Sequence, residues 1–178
     1  MSGSIGANAW VEELLDVKPE PLRALMAIEA DAFGIGGMNE WFLPPFVRQG
    51  RVFVLWQKGI VDPVGVAECM RQWQNPQTAY LFGFAVRKDR RGEGLGTFFM
   101  QELILWLTKA GFERLELTVS PSNDTALHIY KKKLGFVKVR RYTDEYGPGE
   151  DRLLLGLDLM QGSADRQGEN GGGRQNNG

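Results

Sequence analysis

The sequence contains few of the residues that carry disulfide, redox or metal chemistry. Among its 178 residues there is one cysteine, Cys69, and one histidine, His128. A single cysteine cannot form a disulfide within the chain, which favours a reducing compartment. A lone histidine with no second ligand beside it does not predict a metal site. We therefore expect neither a disulfide nor a bound metal.

The sequence also has no large excess of either charge and no long apolar run. Its formal net charge is -1, whereas a nucleic-acid-binding domain normally carries a clear basic excess. No apolar stretch is long enough to span a bilayer. The first residues, MSGSIGANAWVEELLD, lack the basic start and apolar core of a secretory signal. We expect a soluble cytoplasmic protein without a nucleic-acid or membrane partner.

Composition divides the chain into one domain and a tail. A chain of 178 residues with 43% hydrophobic side chains is long enough to bury the core of a single domain, which we predict over residues 9–160. The remaining stretch, QGSADRQGENGGGRQNNG, has no large apolar side chain with which to offset the entropy of ordering. We predict that residues 161–178 form a flexible, low-complexity tail.

Hydrophobic periodicity predicts alternating strands and helices within the domain. The helical patterns cover 18–33, 95–110 and 122–134, with a further short helix inside 34–50. The strand patterns cover 10–17, 51–59, 61–73, 78–86, 114–119, 136–142 and 152–159. This order predicts an α+β fold of the three-layer type, in which helices flank a mixed, mainly antiparallel sheet.

One stretch, VRKDRRGEGLGTFFM over residues 86–100, places basic residues and alternating glycines between a strand and an apolar helix. Backbone N–H groups and the positive end of the helix dipole would meet there, which suits a phosphate or pyrophosphate. Gly92, Gly94 and Gly96 give G-x-G-x-G, which is neither the dinucleotide fingerprint nor a P-loop. The stretch therefore predicts a phosphate-bearing ligand and disfavours an NAD-binding domain with a parallel sheet.

Two blocks of sequence resemble the GNAT superfamily of N-acetyltransferases. The first is R-x-x-G-x-G, formed by Arg91, Gly94 and Gly96, which is similar to the acyl-CoA-binding motif of that family. The second is SNDTALHIYKKKLGF, whose matching positions are Asn123, Ala126, Tyr130, Gly135 and Phe136. The resemblance extends over about residues 25–159 and is most specific over 80–136.

The resemblance implies a GNAT-like acyl-CoA N-acyltransferase fold with acetyl-CoA as co-substrate and a primary amine as acceptor. Strand 78–86 would splay from strand 114–119, the pantetheine arm would lie in the gap, and a backbone N–H near Val86 would stabilise the oxyanion. For Asn123 the alternative is a cap on its own helix. The implied cofactor-binding residues are Phe84, Ala85, Val86, Arg91, Gly92, Glu93, Gly94, Leu95, Gly96, Thr97 and Asn123.

The same resemblance implies a general acid and leaves the base open. Tyr130 matches the family's usual acid, and a phenol with a pKa of about 10 is protonated at neutral pH. The protein N-terminal acetyltransferase branch has a glutamate where this chain has Thr118, which cannot act as a base. Glu116 and Glu68 are the remaining candidates, with a solvated or salt-bridged carboxylate as the alternative for each.

One spacing departs from the family pattern. Five steps, through KKKL, separate Tyr130 from Gly135, where most relatives have four. One extra residue turns a helix by about 100°. We expect either a π-type bulge near Tyr130 or a longer turn before Gly135.

The acceptor site is the least specified part. The turn EYGPGEDRLLL resembles the branch that includes the ribosomal-protein alanine acetyltransferases, which makes Tyr146 and Glu150 candidate acceptor contacts. Trp41 falls where the family has variable acceptor helices, and Glu29 could attract a cationic amine there. Both a protein N-terminus and a small amine remain open as the acceptor. A homodimer remains open as the oligomeric state. The alternative function is a non-catalytic acyl-CoA sensor or interaction module on the same fold.

Overall fold

The computed structural model describes residues 8–16 and 18–160, so the predicted tail, 161–178, lies outside the described residues. Within the described residues, seven strands form one sheet in the order β1-β2-β3-β4-β5-β7-β6. The strands are β1 Ala9–Glu13, β2 Arg51–Gln57, β3 Gly65–Arg71, β4 Thr78–Val86, β5 Arg114–Val119, β6 Val137–Tyr142 and β7 Arg152–Asp158. The helices are α1 Pro19–Phe33, α2 Leu43–Gln49, α3 Leu95–Lys109 and α4 Asp124–His128.

The sheet is mixed and mainly antiparallel, as the sequence predicts. All neighbouring strands pair antiparallel except β4 and β5, which pair parallel. The predicted first strand, 10–17, is longer than β1, which ends at Glu13. The predicted strand 61–73 is likewise shortened, because residues 61–64 make the turn out of β2 and Pro63 has no N–H for a ladder.

Helices cover both faces of the sheet and bury a core on each. On one face, α3 and the segment around Tyr130 pack on the strands, with Phe53 and Phe99 near the centre. On the other face, α1 and α2 pack through Leu25 and Leu43. This is the predicted three-layer arrangement. Within the described residues, no helix is long and apolar enough to cross a membrane.

A bulge divides β4 into two halves. Glu68 of β3 pairs with Gly83, but the next residue, Cys69, pairs with Leu81, so Phe82 is an extra residue in β4. A bulge of this kind reverses the alternation of side chains along a strand. Leu81 before the bulge and Phe84 after it accordingly belong to the core that contains α3.

The segment after α4 confirms one of the two expected solutions for the extra residue. Asn123 caps α4, its Oδ1 accepting from Ala126 N at 3.1 Å. Residues Ile129–Lys133 then form a π-helical turn, in which Leu134 N donates to Ile129 O at 3.1 Å. The additional residue is therefore absorbed inside the helix, at the turn that carries Tyr130.

Candidate active site

The gap between β4 and β5 is the starting point of the site. The two strands are paired from Thr78 with Arg114 to Leu81 with Leu117 and no further, although β4 continues to Val86 and β5 to Val119. The splay that the family resemblance implies is therefore present. It begins at the bulge of β4, because an inserted residue interrupts the ladder.

The backbone of β4 offers polar groups to this gap at alternate residues. Arg87 N donates to Val64 O, at the end of β3, at 2.9 Å, and backbone groups alternate in direction along a strand. Phe84 and Val86 therefore turn their N–H groups toward the gap. Ala85, an expected cofactor contact, turns its backbone to β3 and packs its side chain against the α1 and α2 core. The orientation of Ala85 therefore does not favour a contact with a ligand in the gap.

The glycine stretch forms the mouth of the gap at the start of α3. Gly92 and Gly94 have φ values of 84° and 81°, the left-handed region that favours glycine. A Cβ on Gly96 would meet only Val86 Cγ2, at 3.9 Å. The first-turn N–H groups of Leu95, Gly96 and Thr97 have no acceptor within the described chain. These donors suit a phosphate oxygen.

The charged residues of this loop are partly engaged with the protein. Arg91 donates from Nε to Val86 O at 2.9 Å, and its Nη2 lies 3.7 Å from Asp31 Oδ2. Glu93 accepts from Gln57 Nε2 at 3.3 Å. Arg91 therefore ties the loop to the end of β4, and half of its side chain remains exposed to an anion.

A cavity of about 720 Å³ continues from the gap. Phe84 and Gly96 line it at the β4 and α3 side, and Asn123 and Tyr130 line it at the α4 side. The Tyr130 side chain is buried, and its hydroxyl has no hydrogen-bond partner among the described residues. Burial raises the pKa of Tyr130 to about 12. The hydroxyl is thus a proton donor at neutral pH.

Glu116 is held in place by two neighbours. Its Oε1 accepts from Arg114 Nε at 2.7 Å, and its Oε2 accepts from Gln72 Nε2 at 2.7 Å. It lies beside the paired half of β4, where Tyr80 donates to or accepts from Thr118 Oγ1 at 3.0 Å. Glu116 is not among the residues that line the cavity. The structure thus favours the salt-bridged alternative for this carboxylate.

Glu68 has no such compensation. It is fully buried, and within the described part of the chain both of its carboxylate oxygens lack a hydrogen-bond partner. Burial, and after it the nearby carboxylate of Glu29, raise the pKa of Glu68 well above its ordinary value. Glu68 Oε2 lies so close to Gly83 that a Cβ there would overlap it. Glycine at position 83 therefore makes room for the carboxylate.

Glu29 completes a carboxyl pair at the wall of the cavity. It reaches across from α1, and its Oε1 lies 3.8 Å from the place of a Cβ on Gly83. Its Oε2 accepts from Met38 N at 3.0 Å. Burial raises the pKa of Glu29, and the Met38 N–H opposes that rise. Both Glu29 and Gly83 line the cavity, so Glu29 is the member of the pair nearer to a ligand.

The turn between β6 and β7 closes the same cavity. Tyr146 lines it together with Arg152, whose guanidinium lies 4.7 Å from the centre of the tyrosine ring. Glu150 accepts from Arg152 Nη1 at 3.2 Å and so forms an ion pair with the arginine. Arg152 is a site residue that the sequence analysis missed. Its place beside the tyrosine and glutamate of that turn was the available signal.

Trp41 does not line this cavity and lines a second cavity instead. Phe82 lines both cavities and was also missed, because an aromatic residue within a strand pattern reads as core. Only the bulge reveals its special position.

Comparison with solved structures shows which known proteins share this fold. The structure is similar to the ribosomal-protein-S18-alanine N-acetyltransferase from Escherichia coli, with 24% identity, a TM-score of 0.63, and 85% of this chain and 94% of that chain covered. It is similar to Ard1 from Thermoplasma volcanium, with 18% identity, a TM-score of 0.70, and 85% and 97% covered. A Bacillus subtilis acetyltransferase in complex with CoA has 20% identity, a TM-score of 0.64, and 84% and 98% covered.

No curated protein matches the chain significantly by sequence. The sequence profile of the acetyltransferase (GNAT) family, by contrast, matches residues 10–136. This range includes β4 with its bulge, the glycine loop, α3 and Tyr130. With its splayed strands and its loop of free N–H groups at the start of α3, the chain is thus a member of the GNAT acetyltransferase family.

Proposed function

We propose that this protein is an N-acetyltransferase that moves the acetyl group of acetyl-CoA to a primary amine by direct attack. The observation that carries the proposal is the alignment of three features along one channel. These are the free N–H groups at the start of α3, the open half of β4, and the unpartnered hydroxyl of Tyr130. GNAT membership supports acetyl transfer, and the name of the similar Escherichia coli protein supports nitrogen as the acceptor.

The residues of the channel fit acetyl-CoA from one end to the other. N–H groups from Gly92 to Thr97, with Arg91 beside them, would hold the pyrophosphate. The backbone groups that Phe84 and Val86 direct into the gap would bond the pantetheine arm, since they have no partner strand. The thioester supplies the activated acetyl group. Val86 N–H would donate to the carbonyl oxygen as negative charge develops on it.

Tyr130 is the proposed general acid. Its hydroxyl faces the cavity without a protein partner, and its raised pKa of about 12 keeps it protonated at neutral pH. A protonated phenol at this place would donate to the sulfur of the departing CoA thiolate. Asn123, which the structure shows as the α4 cap, lines the cavity beside it.

The pair of Glu29 and Glu68 is the proposed proton acceptor. Two carboxyls that share one buried place cannot both ionise easily, so the pair retains a proton more readily than an isolated glutamate. A primary ammonium that enters the cavity would meet Glu29 first and would lose a proton to the pair. Glu116 is excluded from this role in the proposal, because Arg114 and Gln72 already occupy its oxygens.

The test is release of free thiol from acetyl-CoA by the purified chain with a panel of primary amines. We expect amine-dependent release in wild type and its loss in Tyr130→Phe, with acetyl-CoA binding by calorimetry the same in both. A non-catalytic sensor would instead bind acetyl-CoA and release no thiol with any amine. Absence of acetyl-CoA binding would contradict both functions.

A further inference from the structure

A second cavity, of about 670 Å³, adjoins the first on the α2 side of the sheet. Its wall is mostly apolar, and several of its side chains are highly exposed. Trp41 is 77% exposed and Phe42 is 63% exposed. Large apolar groups that are gathered and left exposed mark a place where another apolar group binds. We call it the apolar cavity; its principal side chains are Ile35, Trp41, Phe42, Phe46, Met70 and Phe82.

The apolar cavity adjoins the proposed reaction site. Gly36 and Phe82 line both cavities, so the two spaces share a wall at these residues. Met38, which lines the apolar cavity, donates from its backbone N–H to Glu29 Oε2 at 3.0 Å. The carboxyl pair therefore stands at the junction. An amine held at Glu29 has hydrocarbon-lined space directly beside it.

Within the described part of the chain, the apolar cavity has only two polar side chains to offer to a ligand. Among its lining residues the polar side chains are those of Asn39 and Gln49, and Asn39 Oδ1 already accepts from Trp41 N at 3.0 Å. A peptide that passed through the cavity would lose hydrogen bonds to water from its amides without replacing them, which is costly. A group without amides would not incur this cost.

We propose that the apolar cavity binds the hydrocarbon part of the acceptor, and that the acceptor is a small primary amine bearing an aromatic or branched aliphatic group. The inference rests on the proposed acetylation of an amine. The ammonium would face Glu29, and the ring or alkyl group would lie between Trp41 and Phe82. Opposite charge fixes one end of the molecule, and apolar burial fixes the other.

The transfer is balanced in atoms and charge. The ammonium gives one proton to the carboxyl pair, and the amine lone pair forms the new C–N bond to the acetyl carbon. The C–S bond breaks, the sulfur takes a proton from Tyr130, and the nitrogen loses a second proton to water. The carboxyl pair then gives its proton to solvent and the Tyr130 phenolate takes one from solvent, so that one ammonium and one thioester give one amide, one thiol and one released proton.

The experiment compares amines with and without an apolar group in the full-length chain. Phenethylamine and isoamylamine represent the proposed class, ethanolamine and spermidine represent polar amines, and peptides beginning with Phe or Ala represent protein N-termini. We expect kcat/KM for phenethylamine to exceed that for ethanolamine by about tenfold or more, since burial of a ring favours binding by at least this factor. Preference for spermidine or for either peptide would overturn the inference.

Two tryptophans provide a matched pair of variants. Trp41→Ala removes a ring from the apolar cavity, whereas Trp73→Ala removes one that is 93% exposed and lies outside its wall. We expect Trp41→Ala to raise KM for phenethylamine about tenfold and to leave KM for ethanolamine unchanged. Trp73→Ala should change neither. Equal effects of the two variants would contradict the assignment.

A binding measurement separates failure of this inference from failure of the proposed function. The fluorescence of Trp41 should change when phenethylamine binds in the presence of CoA, and the change should disappear in Trp41→Phe but persist in Trp73→Phe. Binding without turnover of any amine would refute the acetyltransferase proposal and leave the apolar subsite intact. Turnover that favours polar amines, without this fluorescence change, would refute only the subsite.

A second variant guards against a folding artefact. A Cβ on Gly36 would meet nothing within 4 Å, so Gly36→Val should fold while it narrows the junction of the two cavities. We expect a higher KM for phenethylamine, and a thermal stability equal to that of wild type would show that the variant is folded. An unchanged KM would count against passage of the acceptor through this junction.

Discussion

The two halves of β4 use the same residue types in opposite ways. Beside the paired half, Glu116 has Arg114 and Gln72 as partners, and Tyr80 has Thr118, although the buried hydroxyl of Thr78 has no partner among the described residues. Beside the open half, both oxygens of Glu68 and Oε1 of Glu29 are buried without a partner in the described chain, and Tyr130 lines the cavity. Buried polar groups normally find partners, so unsatisfied groups beside a cavity are those that a ligand can complete.

The tyrosines provide the largest expected contrast. Tyr130→Phe should lower kcat by about 10²–10⁴-fold, which is the usual contribution of a positioned acid. Tyr80→Phe should leave kcat within about threefold, because removing that hydroxyl costs only its bond to Thr118. Steady-state kinetics of the two variants would test this, and equal thermal stability of the variants would serve as the control for folding. A similar loss of kcat in both would remove the distinction between the halves.

The glutamates sharpen the comparison in a second way. Glu29→Gln and Glu68→Gln should each lower kcat/KM by about 10²-fold at neutral pH and should remove the rise of rate with pH that titration of the pair produces. Glu116→Gln should keep that pH profile and lower the free energy of unfolding by about 1–2 kcal/mol, through loss of its charged hydrogen bonds. An unaltered pH profile in both Glu29→Gln and Glu68→Gln would exclude the pair as the base.

Stability against pH should distinguish Glu68 from an ordinary glutamate. Because its pKa is raised in the folded state, the folded protein binds more protons than the unfolded chain once the pH passes the unfolded value. The contribution of Glu68 to the free energy of unfolding is therefore fully present at low pH. It decreases as the pH rises toward the pKa of Glu68 in the folded state, by at most about 1.4 kcal/mol per pH unit. Glu68→Gln should abolish this loss.

Urea unfolding from pH 4 to pH 8 would measure that difference. The advantage of Glu68→Gln over wild type should grow with pH, since only wild type must bury or protonate a carboxylate. An advantage that is constant across the range would mean that the Glu68 pKa is ordinary in the folded protein.

The smallest expected effect concerns Asn123, which both caps α4 and lines the cavity. Asn123→Ala should cost about 1 kcal/mol in unfolding free energy through loss of the cap. Asn123→Asp should keep the cap, because a carboxylate accepts the same bond from Ala126 N. If Asn123→Asp nevertheless weakens acetyl-CoA binding, the amide group contributes to the cofactor site as well.

Local patterns predicted much of the framework around these halves. Strands β4 and β5 occupy the predicted residues, since runs of aromatic and branched side chains are bounded there by turns. The π-turn at Tyr130 was one of two alternatives that the spacing to Gly135 allowed. The residues of α3 follow from glycines at both ends, of which Gly111 has a φ of 83°.

The chemistry of the open half was less accessible from sequence. The sequence marked Glu29 and Glu68 separately, but their proximity depends on how α1 packs over the bulge of β4, which no local pattern records. The resemblance implied Phe84, Ala85 and Val86 together as cofactor contacts, whereas the bulge decides which of these residues turn their backbone groups toward the gap. Long-range packing, rather than propensity, separates Glu116 from the pair.

The bulge also determines where this scaffold could change without losing its core. Phe82 is the inserted residue, and its side chain is 51% exposed, so neither layer depends heavily on it for packing. Exchange of that ring for a smaller or larger side chain would change the boundary between the two cavities and would keep the hydrogen-bonded pairing of β3 with β4. Under the proposed function, variation at this single site would change the choice of acceptor while the glycine loop that is proposed to hold acetyl-CoA stays the same.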